Sequence, residues 1–198
     1  MMRNGRWAIW AGSALLLAGI GVLAWCGWIW REASVAQSRA EQWLKRAPTI
    51  PSPVIPVPAL PPRASAFPRG AVVGRLTIPR LHLSVMVLEG DDGRILKVAA
   101  GHIPGTALQP GGGNIGIAAH RDTFFRPLRG IRTDDLVTLQ TPAGVSRFAV
   151  SDVEVVRPND VQVLSPAPGR DLTLVTCYPF FYIGPAPKRF IVHARQVS

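Results

Sequence analysis

One cysteine in this sequence stands where a thiol could do chemistry. Cys177 directly follows residues 171–176, whose apolar side chains alternate as in a buried β-strand. Pro179 lacks the backbone N–H that further strand pairing would need, so the strand ends beside the thiol. The other cysteine, Cys26, lies in a long apolar segment and is predicted to be a small hydrophobic residue. Cys177 therefore has no disulfide partner in its own domain, and it is either a nucleophile or an inert buried residue.

A nucleophilic thiol needs a nearby base, and it needs donors for the oxyanion that its attack creates. The chain offers four histidines for the first role: His82, His102, His120 and His193. His120 is the best candidate, because it ends a glycine-rich strand pattern at residues 114–119 and opens a long loop, much as Cys177 ends its own strand. We expect the first two histidines to lie at the surface in turns or loops, and His193 to lie in mid-strand on a sheet face.

Two arginines near the C-terminus could supply the donors. Arg189 and Arg195 lie on the same face of one predicted strand, about 20 Å apart at about 3.3 Å per residue, so a single site cannot use both. Arg189 opens this strand after a Gly-Pro-Ala-Pro loop that can return it to the side of Cys177, whereas Arg195 is expected to meet solvent. Arg189 is therefore the candidate cation of the site.

The elements that must position these side chains are predicted to be short strands separated by glycine and proline. Alternating patterns mark seven of them, at residues 72–78, 83–87, 114–119, 136–141, 145–156, 171–176 and 189–197. The fourth and fifth are expected to form a hairpin, with a bulge near residues 151–152 where the alternation slips. Within this domain, helix is expected only as one or two turns at residues 95–100, and residues 33–46, before the domain, could form a short polar helix. The pattern predicts a mostly antiparallel barrel or sandwich.

The first 70 residues do not share this pattern. Residues 7–30 hold no charged side chain and carry tryptophan at both ends, which predicts a membrane-spanning helix. A cleaved signal peptide, with small residues at 34–36, is the alternative, but the apolar run exceeds the usual length of such a segment. Eight prolines at residues 48–68 predict an extended spacer or, less simply, a proline-rich ligand for another domain. The predicted units are an anchor over 1–31, a linker over 32–70 and a β domain over 71–198.

The charge distribution excludes one class of function. The formal net charge is +10, but residues 1–70 hold 8 Lys and Arg against 2 Asp and Glu, and the remainder holds 14 against 10. A nucleic-acid-binding domain would carry such an excess on its folded face, so we do not expect that role. No metal or cofactor is expected either, because the acidic pairs Asp91–Asp92 and Asp152–Glu154 lack the further ligands that calcium requires.

Three stretches of the chain match a known pattern when they are taken together. Residues 173–177 read Thr-Leu-Val-Thr-Cys, which matches the Thr-Leu-x-Thr-Cys motif of the sortases, and residues 116–122 resemble the histidine strand of that family. Arg189 has the family's spacing after the cysteine, and the order of anchor, linker and domain also resembles a sortase. Ala119 departs from the glycine that many sortases have before the histidine. Residues 120–125 look most similar to class D or related Gram-negative types.

This resemblance implies a fold and a reaction. The fold would be a closed β-barrel of antiparallel and parallel strands with short helices, preceded by a transmembrane helix. Cys177 would attack the Thr–Gly carbonyl of an LPxTG-like sorting signal and form a thioacyl enzyme. His120 would protonate the leaving amine, and Arg189 would stabilise the oxyanion. An amine on peptidoglycan or on another protein would then resolve the thioester, without a metal or cofactor.

The resemblance also implies further site residues and a cellular location. The residues expected to contact the substrate are Thr176, Ala119 and Tyr178. Asp122 could orient the histidine, and the loop at residues 157–169 would bind the sorting signal. Because the family works on the outer face of the cytoplasmic membrane, the chain is expected to be a single-pass membrane protein with a cytoplasmic N-terminus and its catalytic domain outside.

Two other functions stay open at this point. A cysteine acyl-transferase of the L,D-transpeptidase type would also use a thiol, but its Ser-x-Gly-Cys-Arg type of motif is absent from this sequence. A non-catalytic module of the cell envelope would keep Cys177 as a structural residue. These alternatives differ from a sortase in whether the thiol reacts and with which peptide.

Overall fold

The computed structural model describes residues 4–46, 67–108, 113–166 and 169–197. In this part of the chain, a long helix, α1 (Asn4–Arg46), precedes eight strands. The strands are β1 (Val72–Ile78), β2 (Leu83–Glu89), β3 (Ala100–His102), β4 (Gly113–Ala118), β5 (Leu136–Thr141), β6 (Gly144–Val156), β7 (Arg170–Tyr178) and β8 (Lys188–Val197). A short helix, α2 (Gly93–Val98), follows β2, and 3₁₀ turns lie at Pro79–Leu81, Arg126–Gly130 and Val161–Leu164.

The strands close into a barrel in the order β1-β2-β3-β4-β7-β8-β6-β5. The ring closes where Thr77 of β1 pairs with Thr138 of β5. The neighbours β2 and β3 are parallel, as are β4 and β7, and the other pairs are antiparallel. The closed barrel expected from the resemblance is therefore confirmed, and the sandwich is excluded.

Strand β7 shows how the alternating pattern builds the core. Leu172, Leu174 and Thr176 are buried, as the sequence predicts, and the two leucines pack with the fully buried Phe125 and Phe148 inside the barrel. Full burial of an apolar side chain of this size contributes roughly 1.5–3 kcal/mol. Because successive side chains of a strand point to opposite faces, the other set of β7, which ends in Cys177, lies on the outer face of the barrel.

The bulge predicted near residues 151–152 is present in β6. The register between β6 and β8 shifts between Val150 and Asp152, so Ser151 is an extra residue opposite β8. The bulge explains why the alternation of β6 slips there.

His102 was expected at the surface, and this prediction is wrong. Its side chain is fully buried, with Nδ1 2.8 Å from Glu89 Oε2, and Nε2 donates to the carbonyl oxygen of Ala107 (2.9 Å). The partners lie 13 residues before it and 5 residues after it, so the local sequence gave no sign of burial. These two contacts connect the segment between β3 and β4 to the end of β2.

An ion pair joins the turn after β1 to the start of β5. The Arg80 guanidinium donates to both carboxylate oxygens of the buried Asp135. Hydrogen bonds from Arg80 hold the pKa of the Asp135 carboxyl below its usual range, and the backbone N–H of Arg132 acts in the same direction. The carboxylate is therefore ionised at neutral pH, as its partners require.

The C-terminal turns of α1 pack on the barrel. Leu44 is buried against Met86 of β2, and Glu41 forms an ion pair with Arg75 of β1 (2.8 Å). The backbone N–H of Met86 donates to Gln37 Oε1 (2.7 Å). Strand β3 begins to pair with β2 only after Met86, so Gln37 satisfies a backbone donor that the neighbouring strand does not reach.

No helix among the described residues is both long and apolar enough to cross a membrane. The structure therefore does not show the transmembrane span expected from the sequence, although residues 7–30 are helical as part of α1. Residues 32–46, which the sequence analysis counted with the linker, also belong to this helix. The proline-rich spacer predicted at residues 48–68 lies mostly outside the described residues.

Candidate active site

The pairing of β7 with β8 sets two of the candidate residues opposite each other. Cys177 is the direct partner of Arg189 in this antiparallel register. The Cys177 thiol is free and partly exposed. Arg189 Nη1 donates to the carbonyl oxygens of Lys188 (3.0 Å) and Ala186 (3.3 Å), which belong to the chain just before β8. Directly opposed strand residues lie about 4.5–5.5 Å apart between Cα atoms, so the side chains of Cys177 and Arg189 start from neighbouring positions on the outer face.

The parallel pairing of β4 with β7 brings His120 to the same level. The ladder runs to Ala118 opposite Val175, and the backbone N–H of Ala119 then donates to the carbonyl oxygen of Val175 (3.2 Å). His120 is the next residue, and its side chain is exposed. Because parallel strands end at the same edge of a sheet, His120 and Cys177 leave the barrel side by side.

Thr176 and Ala119 form the framework of this edge. The Thr176 hydroxyl donates to the carbonyl oxygen of Ala119 (2.8 Å), and both side chains are buried. This bond links the residue before the histidine to the residue before the cysteine. Tyr178, the third residue expected to contact the substrate, stacks on Phe190 of β8 with the ring centroids 6.2 Å apart.

Asp122, the predicted partner of His120, is bound to another side chain. Its Oδ1 lies 3.4 Å from Arg121 Nε, and the carboxylate side chain is 69% exposed. The structure therefore places Asp122 against Arg121 at the rim of the site.

Arg121 is a residue that the sequence analysis did not select. It is only 6% exposed, although it follows the exposed His120 directly. Its guanidinium donates to the carbonyl oxygens of Pro179 (2.8 Å), Tyr182 (2.7 Å) and Gly184 (3.2 Å). These three acceptors lie in the loop between Cys177 and Arg189. An arginine beside a loop is usually exposed, so only its position next to His120 could have indicated this role.

A cleft lies on the outer face of the barrel over β6, β8 and the start of β7, and its lining residues do not include His120, Cys177 or Arg189. Its volume is about 500 Å³, and the segment at Val161–Leu164 forms one wall. Val156, at one end, pairs with Arg189 and so lies level with the thiol. Asp171, at the other end, is six residues before Cys177 on β7, which corresponds to about 20 Å at about 3.3 Å per residue.

The middle of the cleft is polar because of His193, which lies on the sheet face as predicted. Its Nε2 is 3.0 Å from Glu154 Oε1, and its Nδ1 is 3.2 Å from the hydroxyl of Thr173. The Thr173 hydroxyl donates to Asn114 Oδ1 (2.8 Å), whose amide group donates to the carbonyl oxygen of Val163 (3.2 Å) in the cleft wall. This chain of bonds holds the wall over the sheet.

The family model of the sortase domain matches residues 76–197. This chain belongs to the sortase family. The matched region runs from within β1 to the end of β8 and includes His120, Cys177 and Arg189. The family expected from the sequence motifs is thereby confirmed.

Two curated sortases show how far the relationship extends. Sortase D of Bacillus subtilis is 30% identical over 130 residues, which cover 65% of this chain and 66% of that protein. Sortase A of Streptococcus agalactiae is 27% identical over 132 residues, which cover 62% of this chain and 52% of that protein. The chain thus spans between half and two thirds of the length of these relatives. The class D-like subtype stays a prediction, since both sortase D and sortase A are among the relatives.

Solved sortase structures share the barrel. SrtA sortase from Actinomyces oris has a TM-score of 0.61 at 30% identity, covering 69% of this chain and 86% of that structure. Sortase C from Clostridium perfringens SM101 has a TM-score of 0.60 at 25% identity, covering 67% of this chain and 73% of that structure.

Proposed function

We propose that this sortase is a cysteine transpeptidase that cleaves an LPxTG-like sorting signal between Thr and Gly and transfers the new carboxyl end to an amine. The observation that carries the proposal is the register of the barrel. Two strand pairings bring a free thiol, an imidazole and a guanidinium to one edge, at Cys177, His120 and Arg189. Family membership supports the same assignment of roles.

The first half-reaction forms a thioester. The Cys177 sulfur bonds to the Thr carbonyl carbon, and the electron pair of the carbonyl moves to oxygen. As the tetrahedral intermediate collapses, the carbon–nitrogen bond breaks and the glycine amine leaves with a proton from His120. His120 has taken this proton from the Cys177 thiol as the sulfur attacks, so the step is balanced.

Arg189 suits the role of oxyanion donor. A guanidinium carries five N–H groups in a fixed fork. Among the described residues only Nη1 of Arg189 has protein acceptors, namely the carbonyl oxygens of Ala186 and Lys188. Those two bonds fix the orientation of the group, and the remaining N–H groups can bind the oxyanion.

The second half-reaction transfers the acyl group. An incoming amine gives a proton to His120 and attacks the thioester carbon, and the carbon–sulfur bond then breaks to release Cys177. Water in place of the amine gives hydrolysis. An amine on peptidoglycan or on another protein is the acceptor that we propose.

The polar cleft is the proposed place for the sorting signal. It begins level with the thiol, at Val156, and the loop that includes Val161–Leu164 forms its wall. At about 3.3 Å per residue, the six-residue span on β7 from Asp171 to the level of Cys177 leaves room for a short extended peptide. We propose that the scissile bond of a peptide bound there lies beyond the Val156 end of the cleft, next to Cys177.

A peptide assay tests the function. The full chain is incubated with a fluorescent LPxTG-containing peptide and a glycine-based amine, and the products are identified by mass spectrometry. We expect cleavage after Thr and an amide product that contains the added amine. Peptides with Thr replaced by Val and with reversed sequence are the controls. Cleavage of all these peptides alike, or of none, would contradict the proposal and favour another acyl-transferase or a non-catalytic module.

Sortases are generally associated with the cell envelope, and we propose that residues 7–30 attach this one to the cytoplasmic membrane with its N-terminus inside. The absence of charge over that stretch motivates the proposal. After alkaline carbonate extraction of cells that express the full chain, we expect the protein in the membrane pellet. Its recovery in the supernatant would contradict this attachment.

A further inference from the structure

We propose that Arg121 is a positioning residue that holds the loop at residues 179–187 in the conformation in which Cys177 reacts. This inference rests on the proposed function, because the loop joins the candidate nucleophile to the candidate oxyanion donor. In the described part of the chain, the hydrogen bonds of Arg121 run to the backbone of this loop rather than to the thiol or to Arg189. It acts on both through the backbone that connects them, and it follows His120 directly along the chain.

The side chains of this loop do little to hold its tip in place. Phe181 is 76% exposed and Ile183 is fully exposed, and Tyr182 is also exposed. At the start of the loop, by contrast, Phe180 packs edge-on against Phe190 of β8, with the ring centroids 5.1 Å apart. Side chains this exposed contribute little burial energy, so the tip, residues 181–183, needs another source of order.

Hydrogen bonds from Arg121 supply that order. Its Nη1 binds the carbonyl oxygen of Pro179 at 2.8 Å, and its Nη2 binds those of Tyr182 at 2.7 Å and Gly184 at 3.2 Å. The guanidinium also lies over the Tyr182 ring, 5.8 Å from its centroid. One buried cation therefore binds the loop backbone before, within and after the exposed tip.

The geometry requires a guanidinium in particular. Three carbonyl oxygens are bound by two nitrogens of one planar group, which a lysine ammonium cannot reproduce from a single point. The buried charge is balanced by these carbonyl dipoles and by Asp122 at 3.4 Å. Replacement of Arg121 would leave the carbonyl groups of the tip without their donor, and the loop would sample other conformations.

Those other conformations should slow the chemistry more than they weaken binding. Ala186 and Lys188, whose carbonyl oxygens orient Arg189, lie at the end of this loop and directly after it. A displacement of about 1 Å in a reacting group can cost on the order of a hundredfold in rate. The cleft, in contrast, is lined by residues of other segments, so peptide binding should persist.

The experiment compares R121Q and R121K with R129Q in the full chain. Arg129 is the matched control, because it lies over the Phe181 ring of the same loop, 5.5 Å from the centroid, and no bond joins it to the loop backbone among the described residues. Acyl-enzyme formation and peptide turnover are measured together with thermal unfolding. We expect R121Q and R121K to lower kcat about tenfold to a hundredfold with KM within about threefold. R129Q should stay within about twofold of the wild type.

Hydrogen exchange of the backbone amides in residues 180–184 provides a readout that needs no substrate. We expect R121Q to speed exchange there about tenfold, with β7 and β8 unchanged, whereas R129Q should leave it unchanged. Unaltered loop exchange in R121Q, or a kcat equal to the wild type, would overturn the inference. If the wild type processes no sorting peptide but R121Q still loosens the loop, the proposed function fails and the role of Arg121 in ordering the loop stands. Loss of activity only in proportion to unfolded protein would overturn the positioning role.

Discussion

Replacement of Cys177 by alanine should abolish acyl-enzyme formation with a sorting-signal peptide and leave the fold intact. The thioester needs the sulfur, and no other cysteine lies in the barrel. The thiol is partly exposed at the end of β7, so its removal creates no enclosed cavity. We therefore expect a change in unfolding free energy of less than about 1 kcal/mol. Turnover should fall by a factor on the order of 10³ or more.

The measurement is intact-protein mass spectrometry during incubation with the peptide, together with thermal unfolding of the same samples. Cys26→Ala is the matched control, because it removes the chain's other thiol, which is exposed on α1 far from the barrel strands in sequence. This control should acylate like the wild type. A Cys177→Ala protein that still cleaves the peptide would show that the nucleophile lies elsewhere and would contradict the assignment.

The edge that holds Cys177 was largely predictable from local sequence. Alternation over residues 171–176 indicated which side chains of β7 face the barrel interior, although Thr173 on the other face is also buried, and the proline after Tyr178 indicated where the strand pattern stops. A glycine-rich strand before His120 indicated a second strand end. What alternation could not indicate is which strands are neighbours, because barrel and sandwich strands have the same period. The parallel pairing of β4 with β7, which joins segments 57 residues apart, is the step that brings the two ends together.

The side chains that the sequence analysis misplaced depend on distant partners. His102 follows a glycine and precedes a loop, and this local sequence resembles a surface turn. The side chain is nevertheless buried, where it contacts Glu89 at the end of β2. Arg121 is buried because carbonyl groups 58 to 63 residues later in the chain fold back onto it. In both cases a polar side chain is buried because specific partners satisfy it, and such partners cannot be read from local periodicity.

The second large effect that we expect is on kcat, and it distinguishes the two C-terminal arginines. Arg189→Ala should lower kcat about 10²- to 10³-fold, the usual effect of removing one oxyanion donor. Arg189→Lys should recover little of this loss, because an ammonium keeps the charge without the planar fork. Arg195 pairs with Asp171 at the far end of the cleft, six residues along β8 and about 20 Å away, so Arg195→Ala should leave kcat within about twofold.

Steady-state kinetics with the same peptide and amine distinguish these two arginines, and they also separate binding from chemistry. Arg195 lines the cleft, so its loss can change KM, whereas Arg189 is the register partner of Cys177 and its loss should act on kcat. Unfolding curves of all three variants serve as the control for stability. The reverse pattern, with Arg195→Ala inactive and Arg189→Ala active, would show that the oxyanion is not stabilised opposite Cys177. The pairing of β7 with β8 would then position the thiol, but it would not identify the cation that stabilises the oxyanion.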